Sequence, residues 1–510
     1  MLEKFPSFAA GVAALALSVA FPPSADARNI VFVGDSITQG GAYLAGPVAS
    51  WRYALFKHFV DAGEEFFPMG TTLGARGNTD VSALCPPYRG VAFTNVSEAA
   101  ASARAYQYAG HAADGKFRAD PGSAFPPENR GPVTIKLGQK NPFTGTADEF
   151  FDGATRKKYV GETYRSRYGA RRPDTLCVLI GINDLYDARE GDAAIAEHVH
   201  GIVKAYQKHN PKIRVHVFEL LPTGRDNGTG TSGKNNYIPY NAHLRGVVRK
   251  WSTASSKVTL DRVSDGFYAE SGAMIDTARG AHPNRQGELI VAGNAARALG
   301  LPQRSAGLER RGNAELSASA ENLASGKFSR KGAGVTATGD RAVFASGDGE
   351  STLSRTWNKS GKAREFTLAF TAKLDATARA DNALGVIVGN GAEAGALSVR
   401  EEGVFWNDAL LYGADVLGDK AHNSFSTTKT AAAFRVAWLD GNARAGVPGG
   451  FYVWLGDVLV GEALSGDARF SAHRDKIVFG DLGAAWIARA ALSDVRFRAG
   501  TPFAPPAEKK

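Results

Sequence analysis

The chain has 510 residues, 44% hydrophobic and 22% charged, a globular composition that excludes disorder throughout. At roughly 100 to 200 residues per domain, this length predicts two or three domains and excludes a single small module. The formal charge of +9 comes from 60 basic and 51 acidic residues that alternate along the sequence. The densest basic spots are the pairs Arg171-Arg172 and Arg310-Arg311, so the expectation is a solvated surface with no nucleic-acid partner.

Lys4 precedes an apolar run from Phe8 to Phe21, followed by Pro22-Pro23 and the small-residue sequence Ala25-Asp26-Ala27. This is the pattern of a cleaved signal peptide over residues 1–27, and it predicts a secreted or periplasmic protein starting near Arg28. The run falls short of the about 20 apolar residues of a permanent anchor, and no later segment approaches that length, so no transmembrane segment is expected.

Residues 28–301 alternate short β-rich runs with longer helical patterns, the signature of a parallel sheet covered by helices. Strands are expected at Ile30–Val33, Glu65–Phe67, Thr175–Ile180, Ile213–Glu219 and Val258–Leu260. Helical spacing joins Trp51, Leu55, His58 and Phe59, then Ile195, Val199, Ile202 and Val203, and later Leu289, Ala292 and Ala296. The fold class is therefore α/β. An insertion rich in Gly, Pro, Ala and Asn interrupts it at about 71–153, and the Ala-rich stretch Glu98–Ala109 within it reads as a helix. Residues 302–322 lose periodicity and read as a linker. From 323 to 510 the pattern becomes strand-like alternation with Gly-rich turns, which predicts an all-β jelly-roll sandwich. Only two cysteines occur. Cys177, in the apolar run Leu176–Ile180, reads either as a buried thiol or as half of a bridge to Cys85. No ligand cluster accompanies either, and no phosphate-cradling glycine loop is present, so no metal and no organic cofactor are expected.

In Val31-Phe32-Val33-Gly34-Asp35-Ser36-Ile37-Thr38-Gln39-Gly40 a buried strand ends in a tight turn holding a serine. That turn would expose the Ser36 hydroxyl at the carboxyl edge of the sheet, where open α/β folds bind ligands. A serine needs a base within hydrogen-bond reach to act as a nucleophile. His282, in Gly280-Ala281-His282-Pro283-Asn284 just before the last helix, is the candidate base.

Gly34-Asp35-Ser36, Gly181-Ile182-Asn183-Asp184 and His282-Pro283-Asn284, in that order, resemble the GDSL or SGNH hydrolase family over about residues 29–301. The resemblance implies the SGNH hydrolase fold, a flavodoxin-like parallel sheet flanked by helices, and carboxylic ester hydrolysis. It makes Ser36 the nucleophile, His282 the general base and Asn183 the side-chain donor of an oxyanion hole, completed by the backbone N–H groups of Ser36 and of one further residue. Two positions depart from the pattern. The acid usually lies three residues before the histidine, where this chain has Arg279; the nearest upstream carboxylate is Asp276. The site is then a triad through Asp276, a dyad with the imidazole held by a backbone carbonyl, or a triad through Asp265. Glu98-Ala99-Ala100-Ala101-Ser102-Ala103-Arg104-Ala105 resembles a Glu-Gly-His-x-Gly-Trp-Arg-Ala segment of carbohydrate-esterase branches, which puts Ser102 in place of the second oxyanion donor; Gly77 in Gly74–Thr79 is the competing match.

The stretches Phe366–Leu374, Phe434–Leu439, Phe451–Leu455 and Ile477–Gly483 resemble a laminin-G or concanavalin-like sandwich, a class often used to bind carbohydrate. Trp406, Trp454 and Trp486 would either stack on sugar rings or fill the core. The resulting expectation is an exported carbohydrate O-acetylesterase acting on an acetylated glycan or another ester, whose sandwich binds glycan or packs on the hydrolase unit. The rivals are an exported lipase or lysophospholipase, and a non-catalytic glycan-binding or adhesion protein.

Overall fold

Apolar runs without alternation need cover on both faces, and such runs form the centre of a parallel sheet. A computed structural model gives the architecture; it describes residues 28–499 except 44–45, 71, 76–81, 107, 109–149, 153–157, 160–167, 169–170, 189, 225–236, 270–271, 278–279, 302–319, 346–349, 358–364, 377–381, 391–392, 415–424, 441–447, 474 and 483–487. The expected signal peptide and the linker up to residue 319 thus lie outside the described residues.

The strands that position the site are β1 (Arg28–Gly34), β2 (Phe66–Met69), β3 (Val96–Ala99), β4 (Thr175–Leu179), β5 (Arg214–Phe218) and β6 (Val258–Asp261). The helices are α1 (Ser36–Gln39), α2 (Trp51–Ala62), α3 (Asp192–His209), α4 (Tyr237–Val247) and α5 (Arg285–Ala298). Strands pair in parallel in the order β2-β1-β4-β5-β6, with Val33 opposite Val178 and Val178 opposite Val217. Setting β3 aside, this is the flavodoxin-like order of a doubly wound sheet. The five expected strands are all present within one or two residues of their expected ends.

The expected helix over Glu98–Ala109 is instead a strand at its start. β3 is buried throughout, Ser97 and Glu98 included, and helical backbone begins at Ala105. It shares one edge of β1 with β2: β2 pairs with Arg28–Val31, and β3 with Val33 and Gly34. Val-Ser-Glu-Ala has neither an apolar run nor alternation, and pairing with β1 overrides the helix propensity of its alanines. Cys85 and Cys177 are free thiols, so the bridge does not form. Cys177 is buried within β4, and that burial holds its thiol well above the usual range.

Among the described residues, two antiparallel seven-stranded sheets make the C-terminal sandwich. One runs through Ser329–Lys331, Thr352–Thr356, Lys476–Gly480, Ala383–Asn390, Glu393–Arg400, Gly403–Trp406 and Ala409–Gly413. The other runs through Val335–Thr338, Arg341–Ala345, Arg489–Ala499, Phe366–Leu374, Ala432–Leu439, Gly450–Leu455 and Val458–Leu464. Trp406 and Trp454 are core residues, not exposed platforms: both are buried, and Trp406 Nε1 donates to Ser465 O at 2.8 Å. Trp486 lies outside the described residues. Among the described residues, no helix is long and apolar enough to cross a membrane.

The second sheet packs its outer face on α5. Leu289 of that helix shares an apolar cluster with Ala437, Leu439, Tyr452, Trp454 and Leu459. Gln286 Nε2 donates to Leu411 O at 2.8 Å and to Val460 O at 2.7 Å, and Lys57 of α2 pairs with Glu462 at 3.1 Å. Tyr412 lies against Gly266, close to Asp265 and Arg297, while Gly413 N donates to Gly266 O at 2.9 Å. Gly266 has φ +76, and a β-carbon there would fall 2.2 Å from the Tyr412 ring. Gly266→Val therefore adds left-handed strain of about 1–2 kcal/mol to overpacking of about 1–3 kcal/mol. Calorimetry should find the α/β unit and the sandwich melting earlier together; an unchanged midpoint would contradict this junction.

Candidate active site

β1 delivers the chain to a turn that only a bare backbone can make. A β-carbon on Gly34 would lie 2.3 Å from Thr38 Oγ1 and 2.8 Å from Leu179 O. Asp35 caps α1, its Oδ1 accepting from Ile37 N at 2.9 Å, and this leaves Ser36 just beyond the carboxyl end of β1. Burial, with the Asp184 charge adding to it against the Ile37 N–H, raises the Asp35 carboxyl from 3.8 to about 7.

The loop before α5 returns on itself. Asp276 N donates to His282 O at 2.8 Å, Ile275 and Pro283 form an antiparallel bridge, and Asn284 caps α5 by accepting from Gln286 N and Gly287 N. The longer spacing between acid and histidine is absorbed in this way, and Asp276 Oδ2 lies 3.2 Å from His282 Nδ1. On the other side of the ring, His282 Nε2 lies 2.9 Å from Ser36 Oγ. The Asp276 side chain is 2% exposed and that of His282 is 23% exposed, so the carboxylate is sheltered and the imidazole is the more exposed of the two. Burial pushes the Asp276 carboxyl up, but the bonds from the His282 ring and from the His282 and Thr277 N–H groups outweigh it and hold it below its ordinary value. Asp265, the alternative acid, lies beside Tyr412 of the sandwich.

Asn183 and Ser102 follow the carboxyl ends of β4 and β3, the strands paired with Gly34 on either side through Leu179 and Ala99. Hydrogen bonds stitch the three loops together. Ala100 N donates to Gly34 O at 3.1 Å, Ala101 N to Gln39 Oε1 at 2.8 Å, Asn183 Nδ2 to Ala103 O at 2.8 Å, and Ala105 N to both oxygens of Asp184 at 2.9 Å. Gly77, the competing donor, lies outside the described residues. Sequence reasoning missed the anchoring roles of Gln39 and Asp184, although both sit inside the motifs that revealed the site. Ser102 has φ 63, a left-handed conformation that costs a non-glycine residue about 1–2 kcal/mol. Ser102→Gly is expected to raise stability by about 1 kcal/mol while the backbone N–H stays in place; a lower denaturant midpoint would contradict the strain argument.

Like Asp35, Asp184 and Glu288 are buried carboxyls held above their ordinary values. Asp184 is raised from 3.8 to about 7 by burial, against the Ala105 N–H. Glu288 on α5 is raised from 4.5 to about 8 by burial, against the Ser50 N–H and the charges of Arg52, Arg285 and Lys57. Each folded-state value exceeds the unfolded one, so the stability these groups contribute is fully present below about pH 4 and is lost as the pH climbs toward 7 or 8. The melting temperature should fall between pH 5 and pH 8, and less steeply in Glu288→Gln, which keeps an acceptor for Ser50 N. An identical slope in the variant would remove Glu288 from this account.

A family model described as GDSL-like lipase/acylhydrolase matches residues 30–293. Among solved structures, a carbohydrate esterase family 3 protein from Talaromyces cellulolyticus is similar at 18% identity and TM-score 0.35, covering 53% of this chain and 96% of that one. An acetyl esterase mutant with acetate ion is similar at 17% identity and TM-score 0.33, with 53% and 96% covered. The metal-free carbohydrate recognition domain of Emp46p is similar at 12% identity and TM-score 0.25, covering 36% of this chain and 96% of its own. No curated protein sequence matches the chain.

Proposed function

The chain belongs to the GDSL-like lipase/acylhydrolase family, and from that premise we propose that it is an exported serine esterase that removes O-acetyl groups from carbohydrate. The observation that carries the chemistry is the continuous contact from Asp276 through His282 to Ser36, at 3.2 and 2.9 Å. The glycan reading is supported by the leader pattern in residues 1–27, the carbohydrate-esterase-like segment Glu98–Ala105 and the sandwich.

His282 Nε2 takes the Ser36 proton as Oγ attacks the ester carbonyl. Asp276 holds the Nδ1–H and stabilises the imidazolium that forms. The oxyanion is bound by the Asn183 amide and by the backbone N–H groups of Ser36 and Ser102, donors already fixed before reaction. Collapse of the tetrahedral intermediate breaks the ester bond, and the sugar hydroxyl leaves with the proton from His282. Water, deprotonated by the same imidazole, then attacks the acyl-enzyme, and Ser36 recovers its proton as acetate departs.

Acetate release from acetylated xylans, mannans and sialic acids should be abolished in Ser36→Ala, and kcat should drop about 100- to 1000-fold in Asn183→Ala. Asp276→Asn should cost about 100-fold or more in kcat, which separates a triad from a dyad. On p-nitrophenyl esters the acetyl group should be preferred, whereas preference for long acyl chains would favour a lipase. Glycan binding without turnover would leave a non-catalytic binding protein.

A further inference from the structure

Arg52 is 0% exposed, yet the helix it sits on needs no charge there. α2 is already anchored by the buried Trp51, Leu55, Phe56 and Phe59. A buried guanidinium is costly unless its donors are satisfied, and an apolar side chain of similar volume is often as stable or more so. The partners of Arg52 therefore indicate what the charge does. Nε donates to Thr38 O at 2.7 Å, Nη1 to Val96 O at 2.9 Å, and Nη2 to Gln39 O at 3.1 Å and Asn95 Oδ1 at 2.7 Å. Thr38 and Gln39 end the helix that Ser36 begins, and Val96 begins the strand that leads to Ser102. One planar fork thus spans the segments that carry the nucleophile and the second oxyanion donor.

Ser50 extends the connection to the third segment. Its Oγ donates to the same Thr38 O at 2.8 Å, and its N–H donates to Glu288 Oε1 at 2.6 Å. Glu288 lies in the first turn of α5, one turn beyond the Asn284 cap and six positions after His282. Ser50 is held at φ 83, an uncommon conformation for a non-glycine residue that persists only where surrounding bonds fix it.

We infer that Arg52, Ser50 and Glu288 form a buried strut beneath the site that sets the Ser36 turn, the Ser102 strand and the His282 helix in one register. These are positioning residues, and their role rests on the serine-esterase reading above. Lysine cannot replace the fork, because a single ammonium cannot span carbonyls on both segments. A small misplacement of the Ser36–His282 pair costs turnover far more than substrate binding.

The test uses the full chain with p-nitrophenyl acetate and a fluorophosphonate that labels the reactive serine. The labelling endpoint counts folded sites, and the labelling rate reports how well Ser36 is aligned with its base. Arg52→Lys should lower kcat and the labelling rate by about 10- to 100-fold, with KM within about twofold and the endpoint unchanged. Ser50→Ala, which keeps its backbone bond to Glu288, should lower both rates by about three- to tenfold, again at full endpoint; it carries the test if Arg52→Lys does not fold. Loss of endpoint in step with kcat, at an unchanged labelling rate, would make the strut merely structural and overturn the proposal. Full activity in both variants would overturn it as well. A wild type that labels on Ser36 but releases no acetate from glycans fails the substrate reading alone, and one that does not label at all overturns both.

Discussion

The proposed chemistry depends on where α5 begins. His282 lies two residues before the Asn284 cap, so the position of the imidazole is set by a helix that is itself held on two sides. α2 packs on one side, and the sandwich covers the other through Leu289 and through the two carbonyls that accept from Gln286. A loop histidine alone would have many accessible orientations, and ordering it would cost conformational entropy with every turnover. Fixing the helix, and closing the 276–282 loop with Asp276 N to His282 O, removes that freedom before any substrate arrives.

The other half of the site is set by the sheet. β1 is flanked at its carboxyl end by β3 and β4, so the residues that follow these three strands must emerge side by side. Replacing β2 with β3 along the last two residues of β1 is what brings the Ser102 loop beside Ser36. The loops are then joined by the side-chain oxygens of Gln39 and Asp184, which accept from the main-chain N–H groups of Ala101 and Ala105, with Arg52 below. Rigid strands supply the positions and short polar side chains lock the register, which is how a loop-built site reaches the precision that acyl transfer requires.

How much of this was legible in the sequence follows from the kind of signal each part leaves. Val31–Val33 and Thr175–Ile180 are apolar runs between turn residues, and two-sided burial made them readable as central strands. Ser36, Asn183 and His282 could be named as candidates because three short motifs resemble those of the family in a fixed order, and the structure brings Ser36 and His282 within 2.9 Å. β3 was not legible, because Ser97 and Glu98 are polar residues buried by pairing, and pairing partners 65 residues apart leave no local trace. Arg52 was invisible for a similar reason: next to Trp51 it reads as an ordinary surface cation, and only the three-dimensional approach of Thr38, Gln39 and Val96 gives it acceptors. Asp276 could be named but not assigned, since the spacing to His282 has meaning only once the loop is seen to fold back.

The sandwich is the part whose meaning the structure changes most. Phe451–Leu455 is apolar without interruption, and in an antiparallel sheet with one face in water every second residue would be polar. The run instead serves two interfaces: Phe451 and Val453 face the other sheet, while Tyr452 and Trp454 join Leu289 of α5. Trp454 is thus spent on the junction with the hydrolase unit and is not available as a sugar platform. With Tyr412 inserted at Gly266 and Lys57 paired with Glu462 at the same junction, the sandwich acts as the outer wall behind the histidine helix. A glycan-binding surface on this unit, where one exists, must therefore lie away from the Trp454 face, and removing the sandwich would expose the back of the helix on which His282 depends.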